Sequence, residues 1–198
     1  RMDPHFLYNS LNSINNFVVQ NDVEKASDYI TKFSRLIREI LKKSSNKTIP
    51  LSEELGILGL YVRLEQMRME DGFDYVVTVD DNIDLEKILV PPLFMQPYIE
   101  NAIWHGFVNK TDNKKINLTV YDEGDKVRCE IIDNGIGIEK SKKLNKSSSR
   151  HRKSFGLQTS EDRIKLLHEH QKVYVIIEDI STNGETGTKV TIKFPKII

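Results

Sequence analysis

Apolar residues recur every three or four positions through the first 43 residues, the spacing of one face of an α-helix. Asp3-Pro4 is a good helix opening, and Asn21-Asp22 interrupts the pattern before a second amphipathic helix from about Glu24 to Lys43. The two apolar stripes consist of Phe6, Leu7, Leu11, Ile14, Phe17 and Val18, and of Ala26, Ile30, Phe33, Ile37, Ile40 and Leu41. A hairpin of two such helices is too small to hide its own stripes. We therefore expect it to pair with a second copy as a four-helix bundle, in a homodimer.

The rest of the chain mixes strand and helix patterns, so the predicted fold class is α+β. We place the boundary in the polar stretch after the hairpin, which gives a dimerisation domain at residues 1–46 and an α/β sandwich at residues 47–198. Strands are predicted at 75–79, 115–121, 126–133, 173–178 and 188–194. Helices are predicted at 51–69, from Pro91-Pro92 to near Gly106, and at 159–170, with a mobile polar loop at 139–154.

The composition argues against several classes of function. Lys+Arg and Asp+Glu are both 29, and such a balance lacks the basic footprint of a nucleic-acid partner. Cys129 is the single cysteine, so an intrachain disulfide or a cysteine zinc cluster is excluded, and we expect Cys129 in the core. No apolar run is long enough to span a membrane. We therefore expect a cytoplasmic fragment of a longer protein, without membrane contact of its own.

Two segments carry residue types that suit a nucleotide or metal site. The motif at residues 133–137, Asp-Asn-Gly-Ile-Gly, follows a predicted strand, so its carboxylate can accept a hydrogen bond while the glycines let the backbone approach a planar ligand. An Asx-type turn explains this motif equally well. Asn101 and His105 share one face of a predicted helix, and the Asn101 amide oxygen suits a Mg²⁺ that phosphates already hold. Taken alone, this is more simply a solvated polar face with Trp104 as a core anchor.

Two further segments are informative only in combination. Phe155-Gly156-Leu157 stands at a predicted loop-to-helix junction, where backbone N–H groups favour phosphate, although an ordinary junction explains it as well. His5 near the start of an amphipathic helix is a candidate nucleophile, since an unperturbed imidazole is largely neutral at cell pH. A lone surface histidine usually has no function, and we expect His168 at the surface. The order of all four segments is more specific than any one of them.

In that order the sequence resembles the LytS/YesM-type sensor histidine kinases. Their histidine motif has the form Asn-Pro-His-Phe-[Leu/Ile]-[Phe/Tyr]-Asn-[Ser/Thr]-Leu-Asn, and residues 3–12 read Asp-Pro-His-Phe-Leu-Tyr-Asn-Ser-Leu-Asn. A second family pattern, Gln-Pro-x-x-Glu-Asn-Ala-x-x-His-Gly, matches residues 96–106. The resemblance covers essentially the whole chain. It implies the ATP-binding fold shared by gyrase B, MutL and the histidine kinases, and a parent protein anchored in the cytoplasmic membrane.

The resemblance also implies an activity and a role for each candidate residue. The activity is autophosphorylation of His5 by Mg²⁺-ATP, followed by transfer to a response-regulator aspartate, and our hypothesis for Asn9 is that it positions water for dephosphorylating that regulator. The residues implied for the ATP site are Asn101 as Mg²⁺ ligand, His105 at a phosphate, Asp133 at the adenine amino group, Gly135 and Gly137 in the base pocket, residues 139–155 as a lid with Phe155, Gly156 and Leu157 at its hinge, and Thr188 beside Asp133.

Three alternatives compete with this interpretation. ATPases of the gyrase or MutL type place a glutamate one helical turn before the metal asparagine, where this chain has Pro97. Serine kinases of the anti-sigma type typically lack a histidine hairpin. A nucleotide-binding pseudokinase or interaction module remains open, because Ser154 and Thr159 replace a glycine and an asparagine of the family pattern Gly-x-Gly-Leu-x-Asn.

Overall fold

A computed structural model of the chain describes residues 4–111, 113–145, 153–168, 173–182 and 184–196. The helices are α1 (Pro4–Val19), α2 (Val23–Ser44), α3 (Leu51–Arg68), α4 (Gln96–Asn101, continued by a π-helical turn at Ala102–Gly106), α5 (Ile138–Asn145) and α6 (Lys153–Leu167). The strands are β1 (Ile49–Pro50), β2 (Asp74–Val79), β3 (Leu89–Val90), β4 (Lys115–Glu123), β5 (Lys126–Asp133), β6 (Tyr174–Asp179) and β7 (Thr188–Pro195). The predicted α+β class, a helical hairpin followed by an α/β sandwich, is confirmed.

The hairpin of α1 and α2 packs against α3. Asp22 caps α2 by accepting the backbone N–H of Lys25 at 3.1 Å. Phe6 near the start of α1 is buried, and its ring centroid lies 5.1 Å from that of Tyr61 on α3 and 6.0 Å from that of Phe33 on α2. The third helix therefore covers part of the apolar surface that the hairpin alone would expose.

The predicted apolar stripe of α2 is only partly covered within one chain. Ile30 and Leu41 remain 45% and 68% exposed. Tyr29 and Leu36 are fully buried instead, and the Tyr29 hydroxyl donates to the Ser10 hydroxyl at 3.2 Å. The buried face of α2 is set by the position of α3, which sequence periodicity does not reveal.

Within the described residues, one sheet has the strand order β2-β4-β5-β7-β6, with β2 parallel to β4 and all other neighbours antiparallel. Alternate residues of its central strands form the core: Ile116, Leu118 and Val120 on β4, Val127, Cys129 and Ile131 on β5, and Val190, Ile192 and Phe194 on β7. This alternation is the pattern of strands with one buried face. Cys129 is buried, as expected from its strand position.

The opposite face of the sheet is polar. Arg128 pairs with Glu123 and Glu130, and Lys189 reaches Glu130 at 3.2 Å. The Arg128 guanidinium also lies 3.8 Å from the centroid of the Tyr121 ring. These cross-strand ion pairs make this face of the sheet compatible with water. The helices pack on the opposite, apolar face, as in a two-layer sandwich.

The helix predicted to begin at Pro91-Pro92 begins later, at Gln96. Residues that precede a proline are pushed away from helical geometry, which affects both Val90 and Pro91. Leu93 then adopts a left-handed backbone with a φ of 61°. Residues 91–95 therefore form a non-helical connection between β3 and α4.

The polar loop predicted at 139–154 is also partly wrong. Residues 138–145 form α5, and α6 begins at Lys153 rather than at the predicted Thr159. Residues 146–152 of the predicted loop lie outside the described residues. The Asp179 carboxylate accepts the N–H of Glu139 at 3.0 Å, which supports the first turn of α5. That partner is 40 residues away, so the local sequence gives no sign of the helix.

His168, predicted to be at the surface, is buried at the end of α6. Its ring centroid lies 5.9 Å from that of Phe194 on β7. Burial lowers the pKa of His168, which favours the neutral imidazole in this apolar surrounding.

Candidate nucleotide-binding site

Asp133 ends the central strand β5 and is only 5% exposed. Its carboxylate accepts the N–H of Gly135 at 2.8 Å and the backbone N–H of Thr188, which lies opposite it in the β5–β7 register. Burial raises the pKa of Asp133 to about 6, and the nearby Asp179 charge acts in the same direction. The site therefore holds a fixed acceptor with little water around it.

The loop after Asp133 lies directly on the end of the π-helical turn. The Ile136 N–H donates to the Gly106 carbonyl at 2.8 Å, and a Cβ on Gly135 would overlap that same carbonyl. A Cβ on Gly106 would lie 3.1 Å from Asp133 Oδ1. Gly135 is required because two backbone segments touch here, and a side chain at Gly106 would crowd the Asp133 carboxylate. Sequence reasoning assigned Gly135 to ligand contact and missed Gly106, although Gly106 closes the motif at residues 96–106.

Gly187 completes the backbone packing around Asp133. A Cβ at this position would overlap the Asp133 carbonyl oxygen. Gly187 directly precedes Thr188, whose N–H binds the Asp133 carboxylate. A glycine before Thr188 thus lets β7 begin close enough to hold the carboxylate.

Position 137 requires glycine for a different structural reason. Its φ of 81° is in the left-handed region, and a Cβ would overlap the Ser181 hydroxyl and crowd the Asp179 carboxylate. The hydrogen bonds from Ser181 and from the start of α5 lower the pKa of Asp179. Asp179 is a structural residue of the site that sequence reasoning missed, because it forms its contacts only in the folded chain.

Asn101 is the last residue of α4, and His105 lies in the π-helical turn that follows. The Phe107 N–H bonds to the Ala102 carbonyl at 3.1 Å, an i to i+5 bond that widens this turn. The prediction that Asn101 and His105 share one face assumed ordinary α-helical geometry, which ends at Asn101. Both side chains are half-buried. Single π-helical turns of this kind are frequent at functional sites.

The π-helical turn is held from α3. Arg68 bonds to the buried Glu65 carboxylate at 2.6 and 3.1 Å, and its guanidinium carbon lies 4.1 Å from the centroid of the Trp104 ring. Burial raises the pKa of the neighbouring Tyr61 phenol, as do the charges of Glu65 and Glu100. The Tyr61 ring also packs against the ring of Phe6. Helix α3 therefore contacts both the predicted phospho-acceptor helix and the helix of Asn101.

The other predicted site residues lie on α1 and α6. Asn9 is half-buried in α1, whereas the side chain of His5 lies outside the described part of the chain. Phe155, Gly156 and Leu157 lie inside the first turns of α6 rather than at its junction. Leu157 is half-buried, and the side chain of Phe155 is not among those described. α6 packs against α4, which brings the two predicted sides of the nucleotide site together.

Solved structures with a similar fold are histidine kinase domains. The histidine kinase domain of the Erythrobacter litoralis blue-light activated histidine kinase aligns with a TM-score of 0.50 and 18% identity, covering 87% of this chain and 75% of that one. The mycobacterial sensor histidine kinase MprB aligns with a TM-score of 0.50 and 17% identity, covering 76% and 97%. The fold is that of a histidine kinase ATPase domain preceded by helices.

Sequence comparison is more specific. The model of the histidine kinase-, DNA gyrase B- and HSP90-like ATPase family matches residues 93–198, and a histidine kinase model matches residues 1–73. The chain is 37% identical over 143 residues to the Staphylococcus aureus sensor histidine kinase/phosphatase LytS, which is 72% of this chain and 24% of that protein. It is 35% identical over 138 residues to the Bacillus subtilis sensor protein LytS, which is 70% and 23%.

The chain therefore belongs to the histidine kinase-, DNA gyrase B- and HSP90-like ATPase family, and within it to the LytS-type sensor histidine kinases. It spans about a quarter of the length of these curated relatives. Among the described residues, none of the helices combines the length and apolarity that a membrane crossing requires.

The contact between Gly135 and Gly106 predicts that Gly135→Ala destabilises the protein. The added Cβ must displace the Gly106 backbone, so we expect a loss of about 1–3 kcal/mol in the free energy of unfolding, measured with urea. Gly59→Ala is the control, because its Cβ meets nothing within 4 Å in α3 and should stabilise by about 0.5–1 kcal/mol. Equal effects of the two substitutions would contradict the proposed packing.

The raised pKa of Asp133 predicts a pH-dependent effect of Asp133→Asn. Ionised Asp133 disfavours the folded state, a cost that is absent below its ordinary pKa of 3.8 and complete above about 6, whereas asparagine stays neutral. The free energy of unfolding of the variant minus that of the wild type should therefore rise by roughly 2 kcal/mol between pH 4 and pH 6. It should then level off. The exposed Asp81→Asn is the control, and a flat difference for Asp133→Asn would contradict the assignment.

Proposed function

We propose that this chain is the catalytic core of a sensor histidine kinase, which binds Mg²⁺-ATP and transfers the γ-phosphoryl group to His5. The observation that carries the proposal is the buried Asp133 carboxylate at a strand end, packed against the terminus of the helix that bears Asn101. The family match supports ATP as the nucleotide. If the Asp133 carboxylate had a purely structural role, a cation or further N–H donors would be needed to offset the free-energy cost of burying it.

The adenine base belongs at Asp133. Its carboxylate accepts two backbone N–H bonds and can also accept the exocyclic amino group, which selects adenine over a base with a carbonyl at that position. Gly135 and Gly137 keep the backbone close to the plane of the base, and Thr188 lies beside the carboxylate. Burial raises the pKa of Asp133 to about 6, which is still below neutral pH, so this acceptor is mostly ionised at pH 7.

The phosphates belong between α4 and the lid at residues 139–155. Among the described residues there is no cluster of three or more metal-ligating His, Cys, Asp or Glu side chains. A single amide ligand, Asn101, fits Mg²⁺, which commonly binds through few protein ligands and the substrate phosphates. When bound, the ion neutralises phosphate charge. His105 contributes a phosphate contact, and Phe155, Gly156 and Leu157, in the first turns of α6, border the lid.

In the transfer step, an imidazole nitrogen of His5 forms a bond to the γ-phosphorus. The bond from that phosphorus to the β–γ bridging oxygen breaks, ADP leaves, and the imidazole proton passes to solvent. Phosphoryl transfer has a loose transition state, so positioning and charge neutralisation matter more than a strong base, and Phe6 rather than an acidic residue follows His5. A receiver-domain aspartate of a response regulator then takes the phosphoryl group.

The ATP domain, residues 47–198, must move relative to the hairpin, residues 1–46, to bring the two reactants together. Ile49 and Pro50 already pair with β3, and Lys43 binds Glu53 at 2.6 Å across the connection. A swing about residues 45–48 would open the Lys43–Glu53 pair and separate Phe6 from Tyr61 on α3.

The partners follow from the same assignment. Helix α3 covers only part of the apolar surface of the hairpin, and several apolar residues stay exposed, including Leu11, Val18 and Leu41. A second copy would bury them in a four-helix bundle, which supports a homodimer. We place this segment in the cytoplasm, within a parent protein anchored in the cytoplasmic membrane.

Labelling with γ-phosphate-labelled ATP tests the phospho-acceptor. Wild-type protein should gain acid-labile label, and His5→Gln should lose it, because a phosphoramidate bond hydrolyses in acid. His170→Gln, which changes a histidine outside the motif, should keep the label. Label that persists in His5→Gln removes His5 from this role. Nucleotide binding without any label in the wild type would favour the pseudokinase instead.

Asn9→Ala tests the hypothesis of a water-positioning amide one turn after His5. The Staphylococcus aureus relative is named a kinase and phosphatase, which supports a dephosphorylating activity for this chain as well. The variant should still label His5 but should dephosphorylate a phosphorylated response regulator at least about tenfold more slowly. Asn12→Ala, on the exposed side of the same helix, is the control. An unchanged rate for Asn9→Ala would end the hypothesis.

A further inference from the structure

Glu54 on α3 is a buried carboxylate outside the candidate site, only 1% exposed. It accepts the backbone N–H of Leu93 at 2.7 Å and that of Met95 at 3.1 Å. The Phe94 N–H contributes a further favourable interaction, and Arg163 on α6 contributes opposite charge. These groups reduce, without removing, the effect of burial, which raises the pKa of Glu54 to about 7.

The backbone that Glu54 binds is the non-helical segment 91–95, which leads into α4. Leu93 has a left-handed backbone, which is unfavourable for a residue with a Cβ and needs support from its surroundings. Met95 is the N-cap of α4, and no side chain of its own caps the helix. The Glu54 carboxylate therefore supplies acceptors for the backbone that leads into α4, including the N–H of the N-cap residue Met95.

The same segment is held from the opposite side by α6. The Ser160 hydroxyl donates to the Phe94 carbonyl, and both residues are buried. Ser160 lies one turn before Arg163, the residue whose charge faces Glu54. Segment 91–95 is thus bound by α3 through its N–H groups and by α6 through a carbonyl. It is the point where the helix of Asn101 and the helix after the lid meet.

We propose that Glu54 is a positioning residue for the metal–nucleotide site. Its carboxylate fixes segment 91–95 and thereby sets the position of Asn101 relative to α6, the helix after the lid. The inference rests on the proposed function, because Asn101 matters only if it binds the metal of Mg²⁺-ATP. Glu54 touches no nucleotide. Its effect passes through the backbone of residues 93–95 into α4, whose first α-helical bonds are accepted by Met95.

The Asp133 carboxylate is held by the N–H groups of Gly135 and Thr188, and it meets the far end of the π-helical turn at Gly106. Adenosine binding should therefore depend on Glu54 much less than Mg²⁺-ATP binding does. Mg²⁺-ATP binding depends on Glu54 through Asn101. A residue that merely stabilises the fold would weaken both ligands alike.

Glu54→Gln in the full 198-residue chain tests the proposal. An amide keeps the shape but has a single acceptor oxygen, so it cannot hold both N–H groups. We expect Mg²⁺-ATP affinity to fall about tenfold, because small misplacements of a ligand are costly. Adenosine affinity should stay within about twofold. Backbone hydrogen exchange at residues 96–101 should become faster, measured by mass spectrometry.

Glu130→Gln is the matched control, since Glu130 is also a buried, ion-paired carboxylate but lies on the open face of the sheet. It should leave both affinities and the exchange of residues 96–101 unchanged. If Glu54→Gln fails to fold, Glu54→Asp keeps the charge but shortens the reach, and the same expectations apply. Equal losses for adenosine and Mg²⁺-ATP, or unchanged exchange at residues 96–101, would overturn the proposal.

The outcomes for Glu54 and for the proposed function are separable. Wild-type protein that binds neither adenosine nor Mg²⁺-ATP would overturn the nucleotide function. Hydrogen exchange would still decide whether Glu54 positions α4, because that measurement needs no ligand. Faster exchange in Glu54→Gln alone supports the positioning role, and the same rate in Glu54→Gln and Glu130→Gln contradicts it.

Discussion

The contact between the end of the π-helical turn and the loop after β5 is the constraint on which the site depends. Gly106 and Gly135 bring two backbones together, and the Ile136 N–H closes the contact on the Gly106 carbonyl. Asp133 is buried at this junction, so its carboxylate is fixed by backbone donors and not by mobile side chains. The helix that carries Asn101 and the strand that ends in Asp133 thus meet at one backbone junction.

Helix α3 gives this arrangement its connection to the hairpin. Tyr61 contacts Phe6, the neighbour of His5, while Arg68 stacks on Trp104 in the π-helical turn. Glu54, on the same helix, binds the segment that precedes α4. One helix therefore contacts the helix of His5 and holds the helix of Asn101 at two points. α3 thus links the hairpin to the candidate site through packed contacts.

The sequence predicted the hairpin and most strands, because these depend on local periodicity. Its short motifs named candidate site residues whose roles stay predictions. It failed where a distant partner decides. Residues 138–145 are helical with the help of Asp179, which lies about forty positions along the chain. The buried face of α2 contains Tyr29 and Leu36 because α3 lies on that side. The glycines were recognised as important, but Gly135 and Gly137 each avoid an overlap with residues that no motif connects to them.

The amino-acid sequence by itself determined the order of the elements, the polar and apolar alternation of the strands, and the family. Each of these depends only on residues that are close together in the sequence. Only the tertiary structure decided which carboxylates are buried, where Glu54 binds, and why Gly135 must be a glycine. These properties arise from desolvation and from close backbone approach, and both exist only after segments far apart in the chain have packed together.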